Sequence, residues 1–376
     1  MGKPFKLYMT GDLVLDEPNA DFFFDPARAM LAEADVLIGH VEVPHTTRGI
    51  EAYGDIPAPG ADPENLRAVG RAGFHMASLA GNHMHDRGGE GIADTIDHLV
   101  EQGIAHAGAG QTLAEAREPG LVTRAGKRIG LLSYNCVGPK ENWAGPQRPG
   151  CAYLKIISHY EAEGANPGGP PKVYTFADPD TVEAMQADIE AVRGQVDVLV
   201  VALHKGVVHT PVHIAMYEKA VSRAAIDAGA DIVIGHHAHI TRGVEMYRGK
   251  PIFHGLGNFV TVTRALTAEG NASPERRAWA ERRKVLFGFE PDPDYPLYPF
   301  HPESKNGMVA ACHIGDDGLL SPGFKPFWML PTGQPQPHGD DERGRAVADY
   351  IADISRRAGF RTAFEWDGDR VVFGAA

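Results

Sequence analysis

The sequence predicts an α/β sandwich built as one large domain, and three observations lead to this expectation. The chain has 376 residues, of which 43% are hydrophobic and 23% charged, as in a globular protein with a sizeable core. Short apolar runs alternate with segments whose apolar residues recur at helical spacing. Polar residues follow most of the apolar runs, at the strand ends where open α/β sheets form their sites.

The elements follow from these two patterns in chain order. A short apolar run predicts a buried strand, and apolar positions such as Ile92, Ile96 and Leu99 predict one face of a helix. The predicted strands are Phe5–Met9, Val36–Ile38, His75–Leu79, Arg128–Ser133, Val196–Leu203, Ile232–Ile234 and Ile252–His254. The predicted helices are Pro26–Glu33, Pro63–Ala72, Gly89–Gln102, Thr181–Arg193 and Ile214–Ala228.

Two long segments interrupt this alternation, so the single domain, 1–376, divides into four parts. We expect a core over about 5–262, a Gly/Pro-rich excursion at 137–179, an insertion at 263–305 and a C-terminal segment at 306–376. The insertion contains a basic helical stretch, PERRAWAERRK, and a proline-rich aromatic stretch. Long connections of this kind either wall a functional site or are plain surface insertions, and the sequence leaves both open.

Charge and composition exclude several classes of partner. The net charge is −13 and the pI about 5.7, so we expect no binding to a nucleic-acid backbone. No apolar window approaches the length of a membrane span and no signal peptide stands at the start, which predicts a cytoplasmic protein that does not bind membranes. Three widely spaced cysteines predict neither a disulfide framework nor a thiolate metal site. A homo-oligomer is compatible with the sequence.

The residues that follow the predicted strands form a set with metal-ligating chemistry. Taken singly, Asp12 reads as a turn or helix cap, Asn82 as a turn residue and His204 as a strand cap. Their recurrence at one edge of a sheet instead predicts convergence in space. The candidate ligands are Asp12, Glu42, Asn82, His204, His237 and His239.

The stretch DIVIGHHAHI contains three histidines within four residues, and their positions predict different roles. In an extended segment alternate side chains share a face, so His237 and His239 are expected on one side and His236 on the other. We therefore predict metal ligation by His237 and His239, and a supporting role for His236.

This donor set predicts a hydrolytic centre rather than a structural one. Mixed carboxylate, amide and imidazole ligands without cysteine suit one or two divalent ions, Mn, Zn or Fe, and a carboxylate can bridge two of them. His83, beside Asn82, is the candidate catalytic residue, placed to donate a proton or stabilise developing charge.

These motifs make the chain similar to the CapA family, named for poly-γ-glutamate capsule biosynthesis, within the calcineurin-like metallophosphoesterase superfamily. The resemblance runs from about Leu7 to Phe259. It rests on TGD, GHVEVP, SLAGNHMHDRGGEG, HLVEQGIAHAGAG, VVALHKG, GADIVIGHHAHI and HGLGNFV. It implies a four-layer α/β/β/α sandwich with the metal site at the carboxyl ends of the strands. By this resemblance the same six ligands and His83 carry over, and Asn258 lies near the site.

The chain departs from the family pattern at three places. Asp12-Leu13-Val14 lacks the histidine that the wider superfamily carries, and His40-Val41-Glu42 replaces Asn-Leu-Glu. His40 is therefore either an extra ligand or a hydrogen-bond partner of one. The usual His-Trp-Gly is His204-Lys205-Gly206, which suggests a different substrate. We expect substrate contacts from Lys205, His209, His254 and Arg264.

The leading hypothesis is a metal-dependent hydrolase that directs a metal-activated water at a phosphoester or an amide or peptide-like bond of a small anionic substrate. If the insertion folds over the site, one or two of its arginines would bind a carboxylate or phosphate. These are Arg264, Arg276, Arg277, Arg282 and Arg283. The alternative is a non-catalytic, metal-containing subunit for the assembly or binding of poly-γ-glutamate or another anionic polymer.

Overall fold

The computed structural model describes residues 3–52, 60–162, 164, 168–270 and 273–376. Residues 53–59 of the predicted core, 163 and 165–167 of the excursion and 271–272 of the insertion lie outside the described residues.

The described chain contains strands and helices from Phe5 to Ala375, and the longer ones alternate through its first two-thirds. The strands are β1 (Phe5–Leu15), β2 (Val36–Val41), β3 (Met76–Ser78), β4 (Ala105–Ala107), β5 (Ala109–Gly110), β6 (Gly120–Arg124), β7 (Lys127–Asn135), β8 (Gly150–Cys151), β9 (Ile156–Glu161), β10 (Lys172–Ala177), β11 (Val198–Lys205), β12 (Ile232–His237), β13 (Val244–Tyr247), β14 (Lys250–Phe253), β15 (Asn258–Val262), β16 (Asn306–Ile314), β17 (Leu320–Ser321), β18 (Gly323–Met329), β19 (Pro335–Pro337), β20 (Thr362–Asp367) and β21 (Arg370–Ala375). The helices are α1 (Ala20–Phe24), α2 (Arg28–Leu31), α3 (Pro63–Arg71), α4 (Gly88–Glu101), α5 (Leu113–Ala116), α6 (Pro179–Arg193), α7 (Met216–Asp227), α8 (Pro274–Phe287) and α9 (Glu342–Arg357).

Two large sheets form the centre of the molecule. The first has the order β20-β21-β18-β16-β1-β2-β3-β4, with β15 also paired to β1, β17 to β16 and β19 to β18. The second has the order β13-β14-β12-β11-β7-β6. Pairing is parallel through β1-β2-β3-β4 and through β7-β11-β12-β14, so within each run the carboxyl ends share one edge.

Alternation along the strands separates the core into layers. In β11, Val198, Val200 and Ala202 face the first sheet, whereas Leu199, Val201 and Leu203 face α6 and α7. Within β1, Leu7 and Met9 point between the sheets, and Tyr8 points towards α1–α4. Helices therefore cover the outer face of each sheet. The α/β class and the four-layer α/β/β/α order are confirmed.

Several helices begin at sequence signals that fix their first turn. Asp62 accepts a hydrogen bond from the amide of Glu64 ahead of α3, and Asp178 does the same for Asp180 ahead of α6, each followed by proline. Ser273 and Pro274 begin α8 in the same way. Where these signals and helical spacing coincide, the predicted and observed helices agree within about two residues.

The two interrupting segments are less irregular than expected. The 137–179 excursion contains β8, β9 and β10, and the 263–305 insertion contains α8. The strands β16 and β18, from the C-terminal segment, extend the first sheet beyond β1. The four-part division of the chain stays a prediction. No helix in the described part of the chain is long and apolar enough for a membrane crossing.

Helix α9 supplies a test of how firmly the C-terminal segment joins the core. Ile351 is fully buried in the core between the sheets. We expect Ile351→Ala to lower the free energy of unfolding of the whole chain by about 2–5 kcal/mol, because the vacated volume cannot collapse fully. Exposed Asp349 on the same helix is the control, and Asp349→Ala should change it by less than about 0.5 kcal/mol. A second, independent unfolding transition for Ile351→Ala in denaturant melts would contradict this integration.

Candidate metal centre

Strand alternation aims the candidate ligands of β2 into the space between the sheets. Val36 and Ile38 face the second sheet, so His40 and Glu42, two and four residues beyond Ile38, continue the same face. Both side chains are fully buried.

Asp12 reaches the same space through an irregularity in β1. The pairing register between β1 and β2 shifts between Met9 and Asp12. Tyr8 and Leu13 both face the outer helices, although an uninterrupted strand would place them on opposite faces. The shift therefore turns Asp12 inward. Gly11 permits it, since a side chain there would collide with the carbonyl oxygen of Gly257.

Asp12, Glu42 and His239 form the first group of candidate ligands. One ligand atom from each lies within 4.8 Å of the others. His239 Nε2 is 3.3 Å from Glu42 Oε1, and its Nδ1 is 3.4 Å from Asp12 Oδ2. All four carboxylate oxygens are buried, and no hydrogen bond from the described residues reaches them.

Burial and mutual charge shift the pKa values within this group. Burial raises the pKa of Glu42 to about 7, although His239 opposes the change. For His239, burial favours the neutral ring, but Glu42 and Asp12 outweigh it and raise the pKa to about 9. Burial also acts to raise the pKa of Asp12, yet the contact with His239 and the charges of His236 and His40 lower it. Without a metal, a proton on His239 offsets one of the two carboxylate charges.

Asn82, His204 and His237 form the second group. His204 Nε2 lies 2.7 Å from Asn82 Oδ1 and 3.1 Å from His237 Nδ1, while its own Nδ1 is buried without a partner among the described residues. Burial lowers the pKa of His237 to about 3 and that of His204 well below its ordinary value. Both rings are therefore neutral near pH 7, the state in which imidazole binds metals.

A glycine lets these rings come together. A Cβ at Gly81 would lie 3.3 Å from His40 Nε2 and 3.3 Å from His204 Cε1, closer than nearly all real Cβ contacts. Gly81 thus leaves room for the two imidazoles at the end of β3. A Cβ there would require a neighbouring ring to shift by a few tenths of an ångström.

The turn after β12 corrects the extended conformation that the sequence predicted for the three histidines. β12 ends at His237, and the backbone φ angles of His237 and His239 are +85° and +51°. Such left-handed backbone is uncommon for residues other than glycine and concentrates at functional sites. The turn, not simple alternation, places His237 and His239 on the same cavity.

His236 and His40 lie behind the ligand groups. His236 continues the inward face of β12, where its Nε2 is 3.3 Å from the carbonyl oxygen of Thr10 and its ring stacks on His40. His40 Nδ1 is 2.9 Å from Ser78 Oγ, and its ring centroid is 4.8 Å from that of His204. His40 Nε2 is buried and has no partner in the described part of the chain. Whether His40 is a ligand or a neighbour of one stays a prediction.

His83 lies on the cavity wall with a carboxylate behind it. His83 Nδ1 is 2.7 Å from Asp86 Oδ2, and both side chains are largely buried. A proton on Nδ1 shared with Asp86 fixes the ring and its tautomer, which is the arrangement of an oriented acid or base. Sequence reasoning missed Asp86, although the His-x-x-Asp spacing in HMHD was visible.

Asn258 orients His239. Its Oδ1 lies 2.9 Å from His239 Nδ1, and its Nδ2 donates to Tyr298 Oη at 3.0 Å. Tyr298 donates in turn to the carbonyl oxygen of Ser304 at 3.0 Å. Asn258 can thus hold the Nδ1 proton of His239 and leave Nε2 towards Glu42. Tyr298 comes from the insertion, where no sequence signal linked it to the site.

A cavity of about 380 Å³ opens above both groups. The sequence-predicted residues Glu42, Asn82, His83, His209, His237 and His239 line it. Asp16, which the sequence did not single out, also lines it; burial raises its pKa to about 6, although Thr263 donates to it. The remaining lining residues are Val14, Val43, Val208, Thr263, Ala265, Leu266, Arg283, Leu286, Phe287 and Phe300.

Three of the predicted substrate contacts lie away from this cavity. Lys205 and His254 are fully buried on the far side of β11, where Lys205 Nζ is 3.1 Å from His254 Nδ1 and 3.4 Å from Glu218 Oε2. Lys205 follows His204, so alternation points it to the outer layer. Arg264 is largely exposed, pairs with Glu17 and borders a different surface depression.

The donor chemistry fits one or two divalent cations. Buried carboxylate oxygens without hydrogen-bond donors are costly, and a cation removes that cost. Asp12, Glu42 and His239 would hold one ion, and Asn82, His204 and His237 a second. Oxygen and imidazole donors without cysteine suit Mn, Zn or Fe.

A family model described as "Bacterial capsule synthesis protein PGA_cap" matches residues 6–263. A probable polyglutamine synthesis accessory protein of Mycobacterium tuberculosis is 32% identical over 53% of this chain and 48% of its own length. The capsule biosynthesis protein CapA of Bacillus anthracis is 26% identical over 66% of this chain and 55% of its own length. The chain thus spans about half the length of these curated relatives.

Among solved structures, the calcineurin-like phosphoesterase YfkN from Bacillus subtilis aligns over 94% of this chain and 97% of its own, with 12% identity and a TM-score of 0.33. GAP50 of Plasmodium aligns over 87% of this chain and 85% of its own, with 8% identity and a TM-score of 0.35. Likeness at this level supports no argument about function.

Metal binding tests the first group directly. We expect Glu42→Gln to weaken Mn²⁺ or Zn²⁺ binding by more than about 100-fold, because it removes an anionic ligand while keeping the shape of the side chain. Calorimetric titration of chelator-treated protein measures this. Glu17→Gln, which alters a carboxylate outside the cavity, is the matched control and should bind as the unaltered chain does. Equal affinities for Glu42→Gln and the control would rule out Glu42 as a ligand.

The pKa of His239 sets a pH dependence for the metal-free protein. Folding raises this pKa from its ordinary 6.5 to about 9, so the stability it adds is complete below about pH 6.5 and is lost as pH rises towards 9. We expect the unfolding free energy of chelated protein to fall between about pH 7 and 9, and His239→Gln to remove most of that fall. Metal affinity should rise over the same range, since the ion displaces the proton. Denaturant melts across this range check both trends, and a rise in metal-free stability would contradict the assignment.

Proposed function

The chain belongs to the PGA_cap family of bacterial capsule synthesis proteins, and from this premise we propose that it is a metal-dependent hydrolase of a small anionic substrate. The scissile bond in this proposal is a phosphoester or an amide or peptide-like bond. One observation carries it. The carboxylates of Asp12 and Glu42, which accept no hydrogen bond from the described residues, lie beside His239, and Glu42 and His239 line a cavity whose wall also holds an oriented His83.

The chain's own residues divide the chemical work. A bound divalent cation supplies Lewis acidity and lowers the pKa of a water molecule. His83, held through Nδ1 by Asp86, presents Nε2, and its doubly protonated ring would donate the Nε2 proton to the leaving group and become neutral. Asn258 keeps Nε2 of His239 directed at Glu42. The apolar wall of Val14, Val43 and Phe300 excludes bulk water from the reacting bond.

A non-catalytic role in polymer assembly is the second candidate. The name of one relative favours it, since the Mycobacterium tuberculosis protein is called a probable polyglutamine synthesis accessory protein. In this role the metal centre would bind poly-γ-glutamate or another anionic polymer without turning it over. Retained metal, measurable polymer binding and no turnover on ester and amide substrates would favour this candidate over the hydrolase.

Substitution of His83 tests catalysis separately from metal binding. We expect His83→Gln to lower kcat about 10²–10⁴-fold on a phosphodiester or γ-glutamyl amide substrate, because proton transfer is lost while the six ligands remain. Metal content, measured on the same sample, should not change. Asp86→Asn should have a smaller effect, since it disturbs only the orientation of the ring.

The matched control is His85→Gln, which alters a neighbouring imidazole that does not line the cavity. It should leave kcat within about twofold, as expected of a residue that makes no transition-state contact. Full activity of His83→Gln, with metal bound, would exclude the proposed role of His83. Activity that survives both Glu42→Ala and His237→Ala would exclude the hydrolytic metal centre.

A further inference from the structure

One wall of the cavity comes from the insertion and carries a single strong cation. Helix α8 contributes Arg283, Leu286 and Phe287 to this wall, and Phe300 follows from the proline-rich stretch. Among the described lining residues, Arg283 is the one Lys or Arg. Of the five arginines that the sequence proposed for anion binding, it is also the one that faces the cavity.

Arg283 is buried without a counter-ion. Arg283 is only 5% exposed, and its Nη1 donates a hydrogen bond to the carbonyl oxygen of Pro299 at 2.9 Å. Among the described residues, no carboxylate pairs with the Arg283 guanidinium, and the guanidinium makes no other hydrogen bond. Burial lowers its pKa to about 10, so it stays charged near neutral pH.

The surrounding aromatic rings do not replace a counter-ion. The guanidinium carbon lies 5.8, 5.7 and 6.0 Å from the ring centroids of Phe287, Phe289 and Phe300, at the outer limit of cation–π attraction. A buried charge without an anionic partner is unfavourable, and an incoming anion removes that cost. The other arginines differ, since Arg276 pairs with Glu51 and Arg282 is exposed.

Apart from Arg283, the metal-ligand groups and His83, the polar residues of the remaining cavity wall are Asp16, Thr263 and His209, and the other lining residues are apolar. Val14, Val43, Val208, Ala265, Leu266, Leu286, Phe287 and Phe300 supply this apolar surface, and the metal-ligand groups lie at the base. A volume of about 380 Å³ suits one small molecule, or one end of a longer one. One cation in an apolar wall cannot match a chain that carries a carboxylate on every unit.

We propose that Arg283 binds the single anionic group, a carboxylate or a phosphate, of a substrate whose remaining part is apolar. This inference deepens the proposed function and rests on it, since the bond to be cleaved would lie between the anchored end and the metal ligands. The planar fork of the guanidinium suits either anion through two parallel hydrogen bonds. Arg283 is thus a specificity-determining residue of the insertion.

The test uses the full chain, both chelator-treated and reloaded with Mn²⁺, and non-hydrolysable probes. The two anionic probes are 3-phenylpropionate and phenylphosphonate. The neutral counterpart is 3-phenylpropanamide, and acetate and inorganic phosphate are anions without an apolar part. Calorimetric titration compares the unaltered chain, Arg283→Gln, Arg283→Lys and the exposed control Arg282→Gln.

We expect an anionic phenyl probe to bind the unaltered chain and Arg282→Gln alike, and Arg283→Gln at least about tenfold more weakly. Arg283→Lys should recover part of the loss, since it restores the charge without the fork. The stronger of the two phenyl probes identifies carboxylate or phosphate as the anionic group. Unchanged binding to Arg283→Gln, or equal binding of the amide, would overturn the inference. Acetate or phosphate binding as tightly as the phenyl probes would overturn its apolar part.

The thermal stability of Arg283→Gln distinguishes an anion-binding role of Arg283 from a purely structural role. Without a probe, Arg283→Gln should unfold at the same temperature as the unaltered chain or higher, because an unpaired buried charge is removed. A lower midpoint together with probe binding equal to that of the unaltered chain would assign Arg283 to packing alone. Arg283-dependent binding without turnover on any substrate would end the hydrolase proposal and leave this inference standing. Turnover with an unchanged kcat/KM in Arg283→Gln would support the hydrolase proposal and end the inference about Arg283.

Discussion

Two buried carboxylates that accept no hydrogen bond from any described residue are the constraint on which the rest of the site depends. Asp12 and Glu42 share His239 as their one close basic partner among the described residues. A protein interior does not tolerate such a pair without a compensating charge, either a proton on His239 or a cation. Asn258 contributes by holding the His239 ring in place, and in the second group Asn82 contacts the neutral ring of His204.

The site draws on parts of the chain that lie far apart. The parallel strands of both sheets bring the ligand groups to one edge, while the insertion supplies the outer wall and, through Tyr298, holds Asn258. In the proposed function, the ligand groups hold the metal and the insertion selects the substrate. This division is consistent with the rule that function is grafted onto loops around a rigid scaffold.

Two buried cations near the site illustrate how context decides a role. Lys205 contacts Glu218, and Glu218 also accepts from Arg242 at 2.6 Å, so both cations have a carboxylate partner inside the outer layer. Arg283 is buried to a similar extent but has no carboxylate among the described residues. The first arrangement ties α7 to β11 and the turn after β12, whereas the second leaves a charge that a ligand can satisfy.

The sequence by itself determined the α/β class, the longer helices and several central strands of the first two-thirds of the chain, and the convergence of ligand-type residues, because burial and side-chain periodicity are local properties. Tertiary structure decided the rest. The register shift that turns Asp12 inward, the left-handed turn at His237 and the choice of Arg283 among five arginines depend on contacts between distant segments, which no local pattern encodes.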